Sequence, residues 1–173
     1  MNLAKAKTLL EVATNVAVLL VAAVFLGNFA WNYAHRKPAQ QLRLGLEKGK
    51  SFAPLDGVDY SHAPQTLLIA MNTTCGYCKE SIPFYQQLVS NRAEQNKTTK
   101  LIAIFSERQN VVQQYLEENQ LEIESISSAD FKALNLAGTP TLVLLDNSGK
   151  VIDFWVGKLP KEAEPQVRQA LDL

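Results

Sequence analysis

The chain has 173 residues, 47% of them hydrophobic, and its 17 basic and 17 acidic side chains cancel. That balance argues against a nucleic-acid partner and against a strongly charged substrate, and the length suits one ordinary domain plus an appendage. Only two cysteines occur, two residues apart, so a disulfide framework that staples distant parts of a fold is excluded.

The appendage comes first. Residues 12–34 read "VATNVAVLLVAAVFLGNFAWNYA", and residues 16–27 have no polar side chain. As a helix this segment would be roughly 35 Å long at ~1.5 Å per residue, enough to cross a ~30 Å hydrocarbon core. Trp31 and Tyr33 stand near one end, where aromatic rings favour the membrane interface. Lys5 and Lys7 flank one side, Arg36 and Lys37 the other. A cleaved signal peptide would need small residues at its cleavage site, but ends at Ala30 or Ala34 put Asn28 or Asn32 at the position that should be small. A buried core helix is seldom so long and apolar on every side. The expectation is a flank over residues 1–11 and a single uncleaved transmembrane anchor over 12–34. Basic residues on both sides leave its orientation undetermined by charge.

Residues 35–64 carry Pro38, Gly45, Gly49, Pro54, Gly57 and Pro64, a composition that breaks long regular elements. They read as a linker over 35–50 leading into a domain over 51–173, with "SFAPLDGVDY" offering short strands around a turn. His35 and His62 lie here and read as solvated loop residues.

The remainder alternates strand and helix patterns. "TLLIAM" over residues 66–71 is a short apolar run of buried-strand length, and Cys75 and Cys78 follow almost at once. "YCKESIPFYQQLVSNR" then spaces Ile82, Tyr85 and Leu88 as on a helix face, with Pro83 placed to kink it. "LIAIF" over residues 101–105 is a second buried strand. "ERQNVVQQYLEENQ" is an amphipathic helix with Val111, Val112, Tyr115 and Leu116 on one face. "LEIESI" alternates like a short strand, and "SSADFKAL" offers cap residues before a helical turn or two. "TPTLVLLDNSGKVIDFWVG" is a hairpin turning at Asp146, Asn147, Ser148 and Gly149, with Phe154 and Trp155 alternating so that one faces the core. A closing helix includes Pro165. Alternating βα units, then a hairpin and a helix, imply an α/β sandwich with a mixed sheet.

A pair of thiols between a strand and a helix has a direct chemical use. The first sulfur sits at the helix N-terminus, where unpaired N–H groups and the helix dipole favour a thiolate. The thiolate attacks disulfides, and a second thiol one turn on can attack the mixed disulfide and release the partner. Cys75 is therefore the expected nucleophile and Cys78 the resolving thiol, with Gly76 and Tyr77 as the loop between them. A zinc site would need more ligands than these two cysteines can recruit, and a bridge between them closes too small a loop to stabilise much.

"TTCGYCKESIPFY" together with "AGTPTLVLLDNSGKV" resembles the thioredoxin superfamily, most closely its membrane-anchored, periplasm-facing branch of TlpA/ResA-like thiol-disulfide oxidoreductases. The resemblance runs from about Lys50 to the C-terminus. It implies a thioredoxin-like three-layer sandwich around a mixed central sheet, with a transmembrane helix in front. It implies that Thr139 faces the dithiol, that Pro140 is cis, and that the backbone at Thr139 pairs with an extended substrate strand. Gly76 and Tyr77 would complete the substrate-binding surface and tune the potential. Pro83 matches the family's helix proline and Gly157 the glycine after the last strand. Implied partners are protein thiols or disulfides, the membrane and an upstream redox protein; no bound cofactor is needed, because the sulfur pair carries the electrons. The implied location is the inner membrane, single-pass, with the domain on the periplasmic side. Both directions of electron flow suit the motif.

This chain departs from the family at several positions. The aromatic residue usual before the first cysteine is Thr74, and the buried acid of the strand is Ile69. The glutamate that the cytochrome-maturation branch carries three residues after the second cysteine is replaced by Ser81. Glu80, one step earlier, points ~100° away on a helix and reads as an exposed carboxylate. The alternative readings are a thioredoxin-fold scaffold that binds partners without turnover, and a thiol peroxidase, disfavoured because no arginine adjoins the cysteine.

Overall fold

The computed structural model describes residues 45–95 and 97–173 and, ahead of them, positions 16, 20–22, 24 and 26–28, which are helical. The chain divides into two compact units, Met1–Leu42 and Arg43–Leu173. The flank expected over 1–11, most of the anchor over 12–34 and most of the linker over 35–50 lie outside the described residues. No helix among the described residues is long and apolar enough to cross a membrane.

The second unit is built on five strands: β1 (Gln65–Met71), β2 (Lys100–Phe105), β3 (Glu124–Ile126), β4 (Thr141–Asp146) and β5 (Val151–Val156). They lie in the order β3-β2-β1-β4-β5. β1 runs parallel to β2, and β2 to β3, whereas β4 is antiparallel to both β1 and β5. The sheet is therefore mixed, as the alternation of elements implies.

The apolar runs follow from this topology. β1, β2 and β4 are covered on both faces, so successive residues are apolar regardless of which way they point. Leu67, Ile69 and Met71 face one cluster with Leu101, Ala103, Phe105, Leu142 and Leu144. Leu68 and Ala70 face the other, with Ile102, Ile104, Val143 and Leu145. Each such leucine or isoleucine contributes about 1.5–3 kcal/mol by leaving water.

Helices α1 (Gly76–Glu94), α2 (Gln109–Glu118) and α3 (Glu164–Ala170) all pack on the first face, through Ile82, Tyr85, Leu88, Val112, Tyr115 and Val167. α1 continues through Pro83, whose missing N–H leaves the carbonyl of Lys79 without its usual helical donor. In α2, Val112 and Tyr115 are buried, but Val111 faces solvent, which narrows the expected apolar face. Gln86 Nε2 donates to the carbonyl of Asn119 and ties α1 to the end of α2.

Among the described residues, the second face is covered without an α-helix. Leu46, Phe52, Leu55, Leu134 and Leu136 fill it from irregular segments, with Tyr60 and Phe131 packed alongside. The strands looked for in "SFAPLDGVDY" reduce to a single bridge between Ser51 and Lys150 and a 3-10 turn over Tyr60–His62. Phe52 and Leu55 are buried as loop side chains because the sheet offers them an apolar surface. In "SSADFKAL" the Asp130 carboxylate accepts from the N–H groups of Lys132 and Ala133, so the cap forms, but only one turn follows. The third layer of the sandwich is thus made of turns.

In the hairpin, Asp146 Oδ1 accepts from Ser148 N, Ser148 Oγ and Lys150 N, and Gly149 takes φ +76°. Phe154 packs against the second cluster and Trp155 against the first. Both alternating aromatics are therefore half-buried against a core, because each face of the sheet has a core of its own.

Candidate active site

Four strand ends converge at one end of the sheet. The pairing of Ala70 with Thr141 sets Pro140 opposite Met71. The pairing of Thr141 with Val156 brings Gly157 alongside, and Gly157 N–H donates to the carbonyl of Pro140. The parallel pairing of Met71 with Phe105 carries the segments after β1 and β2 out of the sheet side by side. β1 is the strand at which parallel pairing gives way to antiparallel pairing. The space beyond the carboxyl end of such a strand is where open α/β sheets hold their sites.

Cys75 occupies that space as the N-cap of α1. Its Sγ accepts the N–H of Cys78 at 3.2 Å, in place of the hydroxyl or carboxylate that usually caps a helix. Its own N–H donates to the carbonyl of Asn72, and its carbonyl accepts the N–H of Lys79. The thiol donates to the carbonyl of Thr139 at 3.5 Å, and the Thr139-Pro140 peptide is cis.

The two sulfurs differ in environment. Partial burial raises the Cys75 pKa, but the Cys78 thiol, the Thr139 side chain and the N–H groups of Cys78 and Tyr77 together outweigh this and leave it below the ordinary 9.0. Cys78 has no exposed surface. Burial, then the neighbouring Cys75, push its pKa up to about 12. Cys75 is the more readily ionised and is half-buried, while Cys78, the harder to ionise, is fully buried beneath it. That is the asymmetry of a nucleophile and a resolving thiol. Both cysteines are reduced in this structure.

The other sequence candidates fall around them. Gly76 and Tyr77 are exposed, Tyr77 at 63%, and a methyl group on Gly76 would meet nothing within 4 Å. Thr139 is half-buried and Pro140 buried. Glu80 is exposed and paired with Lys158, and Ser81 Oγ donates to the carbonyl of Tyr77. Phe84 and Tyr85 are buried in the helical core. His62 stays in solvent beside Asp59; His35 lies outside the described residues. Among the described residues, no three His, Cys, Asp or Glu side chains gather to hold a metal ion.

Two residues absent from the sequence reading support the dithiol loop. Asn72 Oδ1 accepts from both the N–H and the hydroxyl of Thr74. Glu107 Oε1 accepts from the N–H and the hydroxyl of Thr73, at 2.6 and 3.0 Å. Asn72 is legible in principle as an Asx turn. Glu107 is not, because 34 residues separate it from Thr73 and only the strand register brings them together.

A model of the thioredoxin-like domain matches residues 58–172, well over half of the chain. The chain belongs to the thioredoxin-like family. Among solved structures, this thioredoxin-like chain is similar to StoA from Bacillus subtilis, with 21% identity over 62% of this chain and 81% of that one and a TM-score of 0.52. It is also similar to the thioredoxin domain of a thiol-disulfide oxidoreductase from Bacteroides vulgatus, with 18% identity, 73% and 99% coverage and a TM-score of 0.55. A thiol:disulfide interchange protein from a Bacteroides species shares 16% identity over 74% and 92% of the two chains, with a TM-score of 0.56. At these identities the likeness is one of fold. No curated protein matches the chain by sequence.

Proposed function

We propose that this chain is a membrane-tethered thiol-disulfide oxidoreductase that exchanges disulfides with protein partners through Cys75 and Cys78. The observation that carries the reading is the placement of Cys75 Sγ at the start of α1, receiving the Cys78 N–H and lying beside Thr139. The Cys75 thiolate attacks one sulfur of a partner disulfide, forming a mixed disulfide. The other partner sulfur leaves as a thiolate and takes a proton. Cys78 then gives up its proton and attacks Cys75 Sγ, closing the Cys75–Cys78 disulfide and releasing the partner as a dithiol. Two electrons have passed from this chain to the partner; run backwards, the same steps oxidise a partner dithiol. Thr139 and Pro140 form the turn against which an extended partner segment lies, and the exposed Gly76 and Tyr77 form its other wall.

The tether is residues 12–34. Supporting it, residues 16–27 are uniformly apolar, and Val16, Leu20, Val21, Val24 and Leu26 are helical yet exposed. Such a surface is stable in a bilayer and costly in water. The location we propose is the inner membrane with the domain on the periplasmic side, which rests on the resemblance to the anchored oxidoreductases. Carbonate-resistant sedimentation, together with labelling of Cys75 in intact cells by a thiol reagent that cannot cross the inner membrane, is the expected behaviour. Labelling only after lysis would reverse the orientation.

The decisive experiment on the chemistry is Cys78→Ala. The variant is expected to accumulate mixed disulfides through Cys75 that a reductant releases. If Cys78→Ala captures no partner disulfide while it still binds partners, the chain is a scaffold and not an oxidoreductase. The dithiol potential then sets the direction: a value near about -270 mV makes the protein a reductase, and one near about -120 mV a disulfide donor.

A further inference from the structure

Thioredoxins carry an aromatic residue just before the first cysteine; this chain has Thr74 there, exposed, with its N–H and hydroxyl both donating to Asn72 Oδ1. The support for the turn before Cys75 comes from the segment that follows β2. β1 and β2 are parallel with Met71 opposite Phe105, and continuing that register two residues beyond the sheet sets Glu107 against Thr73. The half-buried carboxylate of Glu107 accepts both donors of Thr73 on one oxygen, while its other oxygen accepts from Ser106 Oγ at 3.2 Å. The main-chain carbonyl of Glu107 accepts the N–H of Ser128 at 2.7 Å, so the same residue is itself held from a third segment. Thr73 stands two residues before Cys75, at most ~7.6 Å away along the chain.

We propose that Glu107 is the positioning residue of the redox site: its carboxylate fixes Thr73, and through Thr73 the turn over residues 72–75 that seats Cys75 Sγ on the first turn of α1. The inference rests on the oxidoreductase reading above and adds a residue to it. The physical case is the strength and the geometry of the contact. Hydrogen bonds to an ionised carboxylate are shorter and roughly twice as strong as neutral ones. Two donors from one residue on one oxygen fix both the backbone and the rotamer of Thr73. The Cys75 thiolate depends on N–H groups whose reach is short, so a loosened turn moves the sulfur off its donors. Glu107 acts on the hydrogen bonds that hold the turn, not on the reacting atoms. A negative charge near a thiol opposes its ionisation, so the benefit to the thiolate comes from the position that Glu107 imposes.

The test uses the full chain and three variants, E107A, E107Q and T73V, each first checked for native circular dichroism. Two readouts are taken: the rate of Cys75 alkylation by iodoacetamide at pH 7, and the dithiol-disulfide ratio in a glutathione buffer. E107A is expected to slow alkylation about tenfold, the equivalent of one pKa unit, and to shift the ratio toward the disulfide, since a less stable thiolate makes the reduced state less favoured. E107Q keeps an amide oxygen that accepts both Thr73 donors, so its rate equals or exceeds the wild-type rate. T73V keeps the N–H donor and loses the hydroxyl, and is expected to slow alkylation about threefold. E107A at the wild-type rate and ratio overturns the proposal, and so does an E107Q variant as slow as E107A. If E107A does not fold, T73V decides, with a wild-type rate counting against. Failure of the wild-type protein to cycle between dithiol and disulfide would instead sink the oxidoreductase reading, while the alkylation rates still report on the turn.

Discussion

Alkylation of the reduced protein by iodoacetamide at pH 7 is expected to stop at one adduct, on Cys75. An ordinary thiol with the reference pKa of 9.0 is about 1% ionised at pH 7, and Cys75 lies below that value and so exceeds that fraction. Cys78, raised to about 12, is ionised to about one part in 10⁵. The thiolate populations therefore differ by at least ~10³, before the complete burial of Cys78 is counted. The same asymmetry has a signature in stability. Cys75, lowered in the folded state, contributes stability above the unfolded-state pKa and loses it as pH falls through its folded value. Cys78, raised, contributes fully below pH 9.0 and loses that contribution as pH rises toward about 12. Replacing Cys78 by Ala should remove this alkaline loss, so the reduced wild-type protein should lose stability relative to the variant between pH 9 and 12. The assay is a time course of peptide mass spectrometry after alkylation, paired with denaturant melts across that range. Comparable alkylation of the two cysteines in the folded protein, or a Cys75 slower than an unstructured peptide thiol, would refute the assignment of nucleophile and resolving thiol.

Other outcomes test the frame that holds the site. Leu88→Ala empties a fully buried position under the sheet and should cost about 2–5 kcal/mol in denaturant melts; a loss below ~1 kcal/mol would mean that α1 is not packed as described. Gly149→Ala meets two obstacles, a φ of +76° and a Cβ only 2.9 Å from the Tyr60 ring, and should cost about 1–3 kcal/mol. Gly76→Ala has open space and a helical position and should be neutral or stabilising by up to ~1 kcal/mol, so any change in its reduction potential reads the dithiol loop alone. Asp146 is held below its ordinary pKa of 3.8 by hydrogen bonds from Lys150 and Ser148. Stability contributed by the hairpin turn should therefore be present above pH 3.8 and be lost as pH falls through the lower folded value, an effect that Asp146→Asn should weaken.

Local pattern carried much of this protein. The runs "TLLIAM", "LIAIF" and "TLVLL" declare strands covered on both faces, and the turn before β5 declares a hairpin, because each depends on residues adjacent in sequence. The dithiol is legible for the same reason: Cys75 caps the helix that contains Cys78, and the span between them is one helical turn. What covers the second face of the sheet was not legible. Phe52, Leu55 and Leu134 show no period that separates a buried loop from a strand or a helix, and the surface that buries them is contributed by Leu68, Ile102 and Val143 far along the chain. The packing of both Phe154 and Trp155 follows from that same second core.

Sequence alone determined that two thiols stand one helical turn apart between a strand and a helix, and which stretches become strands and helices, since backbone sterics, side-chain alternation and helix capping act over a few residues. Tertiary structure decided how the chemistry is held. Thr139 meets Cys75 across 64 residues, and Glu107 meets Thr73 across 34, because parallel and antiparallel strand registers set those neighbours, and register is a property of the assembled sheet, which no single segment carries.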